Sequence, residues 1–445
     1  MATNILWSMT TRLRLPMALS ATVLAAAMLL APGAAAAPPT PEQDPFYQYA
    51  GTKPLSEIAP GTVLKTRTLS YHVVGLPTPV KAIQLLYRAT DELGEPTVDV
   101  TSVLKPPLTI GAPQVIAYQS FYDSLNPADE PSYAISGGLT LGGAIPQVES
   151  ALIAPSLLAG RAVVIADTEG ERADFAAGPE YGTNTLDSLK AALASPATGL
   201  AQTQKIAMIG YSGGAIATEW AAELAPTYAP SVNGKLVGAA MGGVLVDPAH
   251  NLHYVDGSLD WAGVMPMAII GVSRAFHIDL TPYLSAYGKQ VYGELETASI
   301  TEALGRYPGL TWAQLAKPEY ATPESIPIYV HTVNQLIMGT RGTPTTPLQI
   351  SQGALGELEG TAGDKPGIGE GDGVMIAGDV RSLARQYCGK GTKVRYRQYE
   401  LGHIGTAVPW IAEAMTWMND RFLGLPAPSN CASIEPGNSL APLPE

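Results

Sequence analysis

The sequence predicts an α/β fold: a mostly parallel, doubly wound sheet with a helical segment inserted late in the chain. Three observations carry that expectation. Short apolar runs alternate with segments long enough for a helix, the pattern of right-handed strand–helix–strand crossovers. One run, Lys205-Ile-Ala-Met-Ile-Gly210, leads through Tyr211-Ser212-Gly213-Gly214 into an Ala-rich helical pattern, so a G-x-S-x-G turn sits between strand and helix. About 100 residues separate the run ending near Val246 from the one beginning near Pro347, far more than a crossover with loops of roughly 2 to 6 residues requires.

Taken in order, the chain opens with Arg12 and Arg14, an apolar run from Leu15 to Leu30 and the small residues Ala34-Ala35-Ala36. Residues 1–36 are therefore expected to be a signal peptide cleaved near Ala36, an uncleaved anchor being the alternative. Cleavage removes two arginines and no acid, taking the formal net charge from −13 to −15. A chain this acidic is repelled by nucleic acid and by anionic membrane surfaces. Of the 445 residues 46% are hydrophobic and only 15% charged, enough apolar surface for a large core. Residues 37–60 are Pro-rich and polar and read as a lead-in.

Thr62 to His72, Lys81 to Ala89 and Val98 to Leu104 read as β-hairpins forming an antiparallel edge, with the break Glu92-Leu-Gly-Glu-Pro96 between the last two. The buried parallel strands are expected at Gln114 to Ser120, Arg161 to Asp167, Lys205 to Gly210, Lys235 to Met241, Pro347 to Gln352 and Val394 to Glu400. Helical patterns lie at Asn184 to Ala194, Ala215 to Leu224, Asp379 to Tyr387 and Val408 to Phe422. No repeat and no G-x-G-x-x-G after a strand is visible, which disfavours a solenoid and a dinucleotide site. The insertion, about 248–340, carries apolar stretches such as Trp261 to Ile270 and Pro282 to Gly288. It is expected to be a helical cap over the site lining an acyl tunnel, or else a subdomain burying those residues in its own core.

Ser212 is the candidate nucleophile, held exposed on a turn so sharp that Gly210 and Gly214 leave no room for a Cβ. A serine hydroxyl needs a base within hydrogen-bond reach, and the base needs a carboxylate to fix its tautomer. On folds with this turn the chain order is Ser, acid, His. Of His72, His250, His253, His277, His331 and His403, only His403, after the final strand, follows a strand able to present the acid. Asp372 stands just ahead of the last crossover helix and is the first choice of acid, with Glu357, Glu359, Asp364 and Glu370 as alternatives. Two backbone N–H groups must meet the developing oxyanion. One is that of Gly213; the other falls in Phe121-Tyr-Asp-Ser-Leu125, at Asp123 or Tyr122.

Cys388 and Cys431 are the only cysteines; in an exported protein they are expected to pair, two free thiols being the alternative. No Cys or His spacing fits zinc, His250 with His253 being a weak pair. No metal or organic cofactor is expected.

Several stretches together resemble the secretory lipase family of the α/β-hydrolase superfamily, the group of Candida antarctica lipase A and of exported actinobacterial lipases. They are Ala117-Tyr-Gln-Ser-Phe-Tyr-Asp-Ser124 with Pro131-Ser-Tyr133, Gly160-Arg-Ala-Val-Val-Ile-Ala-Asp167 with Gly170 and Ala177-Gly-Pro179, Gly210-Tyr-Ser-Gly-Gly214, and Asp379-Val-Arg-Ser-Leu-Ala384. The resemblance implies an α/β-hydrolase fold with Ser212, Asp372 and His403 as triad, Asp123 and Gly213 as oxyanion donors, a helical lid over 248–340 and a Cys388–Cys431 disulfide. It departs at the acid, which is followed by Gly-Val-Met rather than the family's Val-Pro and lies beyond an extra segment, Ala354 to Gly371. The expectation is an exported serine ester hydrolase, first a triacylglycerol lipase, acting as a monomer on lipid or ester small molecules, at an oil–water interface where the substrate forms one, with no nucleic-acid partner. A short-chain esterase, acyltransferase or peptidase, or a catalytically degenerate envelope protein, are the competing readings.

Overall fold

The computed structural model describes residues 37–109, 111–203 and 205–445; the expected signal peptide lies outside them. Its strands are β1 (Val63–Val73), β2 (Leu76–Thr90), β3 (Pro96–Leu104), β4 (Gln114–Gln119), β5 (Ala162–Ala166), β6 (Lys205–Tyr211), β7 (Leu236–Gly242), β8 (Leu348–Gly353) and β9 (Val394–Tyr399). They form one sheet in the order β1-β2-β3-β5-β4-β6-β7-β8-β9. Pairing is antiparallel from β1 to β5 and parallel from β5 onward. Helices of eight residues or more are α1 (Ser150–Leu158), α2 (Gly178–Ala194), α3 (Gly213–Tyr228), α4 (Pro248–Val255), α5 (Val264–Ala275), α6 (Ala286–Leu295), α7 (Pro327–Asn334), α8 (Ala377–Gly389) and α9 (His403–Phe422).

Successive strand residues point to opposite faces, and the sequence supplies apolar side chains to both. Leu85, Tyr87, Val115, Ala117, Met208, Met241 and Ile350 pack against α2, α3 and α8 through Leu186, Trp220 and Leu383. Their alternate neighbours Ile116, Tyr118, Ala207, Ile209 and Ala240 pack against α1 and α9 through Ile153, Leu157, Trp410 and Trp417. Covering both faces is what lets the central strands be apolar throughout and makes the fold doubly wound. On this fold the ends of parallel strands open onto a crevice where functional side chains gather.

The elements differ from expectation at their ends. β2 starts at Leu76 rather than Lys81, because Pro77 and Pro79, which read as breakers, lie at the far end of a long hairpin whose turn is Val74 and Gly75, both at positive φ. α9 begins at His403 rather than near Val408; Pro409 lies inside the helix, where it forfeits one backbone hydrogen bond.

Between β7 and β8 the chain makes α4 to α7. The side chains of this segment, among them Leu252, Trp261, Met267, Leu295 and Tyr329, cluster with one another and with Val374, Met375 and Ile376, which follow Asp372. Cys388 and Cys431 are bonded, their Cα atoms 5.6 Å apart. Beyond Cys431 the tail runs along α8, where Asn438 N donates to Gly378 O at 3.1 Å. It then reaches α7, where Leu443 N donates to Asn334 Oδ1 at 2.8 Å and Asn334 Nδ2 to Leu443 O at 2.9 Å. Among the described residues no helix is long and apolar enough to cross a membrane.

Candidate active site

Ser212 joins β6 to α3 at φ 53°, ψ −121°, a conformation costly for any residue with a side chain. Neighbouring backbone holds it there: Ser212 N donates to Gly242 O at 2.9 Å, and Ala215 N donates to Ser212 O at 2.8 Å. The flanking glycines are a steric requirement, since a Cβ on Gly210 would lie 1.9 Å from Gly214 O and one on Gly214 2.2 Å from Gln119 O.

His403 Nε2 stands 2.8 Å from Ser212 Oγ, and its Nδ1 stands 2.8 Å from Asp372 Oδ2. The carboxylate is fully buried and itself saturated. Oδ2 also accepts Gln352 Nε2 at 2.7 Å, while Oδ1 accepts Met375 N at 2.8 Å and Val374 N at 3.2 Å. His403 N donates to Asp372 O at 2.7 Å, so backbone and side chain of the two residues are locked together. Burial pulls the imidazole pKa down, but the charge and hydrogen bond of Asp372, with the charges of Glu359 and Asp123, outweigh it and leave the pKa raised.

Asp372 lies 20 residues beyond Gln352 yet touches it. The intervening segment Ala354 to Gly371 closes on itself, Gly356 N donating to Gly371 O at 2.8 Å and Ala377 N to Glu370 O at 3.0 Å, so its length does not displace the carboxylate. Glu357, Asp364 and Glu370 are all exposed, and none of the three bonds His403. Glu359 approaches His403 from another side, accepting Ile404 N at 2.8 Å and Trp261 Nε1 at 3.2 Å.

Asp123, at φ 39°, and Gly213 both border the same cavity as Ser212, and neither N–H meets an acceptor among the described residues. Tyr122 is instead turned into the protein, its hydroxyl accepting Glu169 N at 3.0 Å. Two buried acids clamp the Asp123 loop. Glu149 accepts Phe121 N and Tyr118 Oη at 3.0 Å and Ser120 Oγ at 2.6 Å; Glu169 accepts Tyr181 Oη at 2.8 Å and Ser124 N at 3.2 Å. Burial pushes the carboxyls of Asp123 and Glu149 up to about 7.

The cavity, about 120 Å³, is apolar on nearly every side. Ile216 comes from α3, Val264, Met265 and Ile269 from α5, and Val333 from α7, so the inserted helices supply most of its wall. His250 and His253, the pair noted in the sequence, turn to different carboxylates, Asp379 at 3.1 Å and Glu324. Among the described residues no group of His, Cys, Asp and Glu is arranged to hold a metal ion. Sequence reasoning missed Gln352, Tyr211, whose hydroxyl donates to His403 O, and Trp261, whose ring edge meets the His403 ring with centroids 5.3 Å apart. No local pattern marks any of them.

Residues 137–365 match the family described as secretory lipase. Lipase 4 of Candida albicans is 30% identical over 410 residues, which span 89% of this chain and 85% of that protein. A probable inactive lipase of Mycobacterium tuberculosis is 30% identical over 398 residues, 87% of this chain and 84% of that one. Among solved structures, Candida antarctica lipase A in its closed state superimposes with a TM-score of 0.76 at 25% identity, covering 92% of each chain. The family match alone runs unbroken through the turn at Ser212 and all four inserted helices, and the fold agrees with it from end to end: the chain belongs to the secretory lipase family, on an α/β-hydrolase fold.

Proposed function

We propose that the protein is an exported serine ester hydrolase, a triacylglycerol lipase, that works through an acyl-enzyme on Ser212. The observation that carries this reading is the continuous hydrogen-bonded line Ser212–His403–Asp372, with both links at 2.8 Å, opening onto an apolar cavity. Ser212 Oγ attacks the ester carbonyl as His403 takes its proton, and Asp372 holds the tautomer and steadies the imidazolium. The free N–H groups of Asp123 and Gly213 receive the oxyanion. His403 returns its proton to the departing alcohol, then activates water to release the acid. Residues 248–340 act as the cap, their apolar side chains accepting the acyl chain while excluding water. The family's description as secretory and the n-region, apolar run and alanines of residues 1–36 support export through a cleaved signal peptide.

The Mycobacterium tuberculosis relative is named as a probable inactive lipase; the unbroken triad line supports activity here. The test is labelling with a fluorophosphonate probe followed by hydrolysis of emulsified tributyrin and triolein. Labelling of the wild type and not of Ser212→Ala, with turnover of both emulsions, is expected. Activity confined to tributyrin makes the protein a short-chain esterase, and turnover retained in Ser212→Ala discards the mechanism.

A further inference from the structure

Glu359 ends the short turn Gly356–Glu359 in the segment ahead of Asp372 and is half-buried where three elements meet. Oε1 accepts the N–H of Ile404, in the first turn of α9, at 2.8 Å. Oε2 accepts Trp261 Nε1 from the inserted segment at 3.2 Å. Trp261 in turn sets its ring edge against His403, 83° between planes. On the other side of His403, a Cβ on Gly402 would fall 2.5 Å from Glu359 Oε1, so the carboxylate is pressed against the backbone both before and after the base.

A neutral acceptor would serve Ile404 as well as a charged one. What a charge adds is felt by the ring, which becomes an imidazolium each time Ser212 gives up its proton. The groups facing His403 are Asp372 at Nδ1, Glu359, Asp123 across the cavity and Tyr211 at its carbonyl, and Tyr254 lies behind Gly373. Burial pushes the Asp123 carboxyl up to about 7; it raises that of Glu359 as well, but there the His403 charge and the N–H groups of Ile404 and Trp261 favour the carboxylate and oppose the rise.

We propose that Glu359 is a positioning residue acting through His403: a second carboxylate that pins the backbone beside the base, supports its protonated form, and ties both to Trp261 of the inserted segment. The proposal rests on the reading that Ser212 and His403 carry acyl transfer. Each carboxylate has its own task. Asp372 fixes the tautomer at Nδ1; Glu359 makes no bond to the ring and contributes through charge and through Ile404.

The experiment measures kcat and KM against pH for a soluble p-nitrophenyl ester and follows the His403 ring by NMR titration, in the wild type, Glu359→Gln, Glu359→Asp and Glu359→Ala. Glu359→Gln keeps an oxygen for Ile404 and loses the charge. Its His403 pKa and the acid limb of kcat/KM are expected to move down by about 0.5 to 1 unit, the size of one partly screened charge at this range. Its kcat is expected to fall roughly three- to tenfold with KM little changed, because the imidazolium forms on the way to the transition state. Glu359→Asp restores part of the shift. Glu357→Gln, removing an exposed charge two positions away, leaves the profile in place. A Glu359→Gln profile that superimposes on the wild type, with only Glu359→Ala losing thermal stability, reduces Glu359 to a helix anchor and overturns the proposal, as does an equal shift in Glu357→Gln. The NMR titration reads the proposal without turnover, so a wild type that hydrolyses no ester sinks the proposed function and leaves the effect on His403 separately decided.

Discussion

Gln352 Nε2 and His403 Nδ1 converge on one oxygen, Asp372 Oδ2, at 2.7 and 2.8 Å. Gln352 is the last-but-one residue of β8, so the Asp372 carboxylate is measured off from the sheet itself rather than from its own loop.

Replacing Gln352 by leucine removes that bond and also leaves Val244 N, which donates to Gln352 Oε1 at 3.1 Å, without an acceptor. A hydrogen bond to a charged group contributes about 1.5 kcal/mol or more, so kcat is expected to drop roughly tenfold. The unpaired amide costs about 1 to 3 kcal/mol of stability. Steady-state kinetics and the urea midpoint check the two effects separately; unchanged kcat in a folded variant would exclude a role for Gln352 in holding the acid.

Gly213→Ala tests the proposed oxyanion donors. A Cβ there would lie 1.6 Å from Asp123 Oδ1, so the Asp123 side chain must swing away, and the N–H of the same residue is expected to shift with it. Loss of one such donor lowers kcat by roughly 10²- to 10³-fold. The rate of fluorophosphonate labelling is expected to fall in parallel, and labelling at the wild-type rate would contradict the assignment.

His250 links α4 to the start of α8. Its hydrogen bond to Asp379 raises its pKa above the usual histidine value, against the opposing effect of burial and with help from Asp247. A group whose pKa is higher folded than unfolded contributes stability that is whole below about pH 6.5 and fades as pH climbs through the folded value. Melting temperatures of wild type and His250→Ala, taken from acid to alkaline pH, should therefore lie furthest apart on the acid side and converge above neutrality. A gap that widens with rising pH would reverse the sign and refute the pairing.

Cys388 and Cys431 are 43 positions apart, and closing a loop of that length stabilises a fold by about 4 kcal/mol in the chain-entropy account. The double serine variant is expected to melt markedly lower yet hydrolyse esters normally when cool, because neither sulfur borders the cavity. Differential scanning calorimetry and a low-temperature assay check both halves.

What was legible in the sequence follows from what is local. The turn at Ser212 announces itself because strand, glycines and helix are contiguous, and His403 follows from chain order. Asp372 was ambiguous because five acids crowd one segment, and only the closure of Gly356 onto Gly371 selects between them. Glu359 entered the sequence reading as a rival acid, and the structure gives it other partners, Ile404 and Trp261. Gln352 and Tyr211 act across distances that periodicity does not encode. The helical pattern from Val408 to Phe422 leaves out the first turn of α9, which begins at His403 and carries Pro409 inside it.

The C-terminal tail has a mechanical consequence. Tension applied at Glu445 would first part it from His331, then unzip Leu443 from Asn334 and Asn438 from Gly378, slackening α7 of the inserted segment while every strand remains paired. Peeling stops at Cys431, where the load passes through sulfur into α8. A tether at this end thus works as a handle on the roof of the cavity, with a covalent stop protecting the sheet beneath.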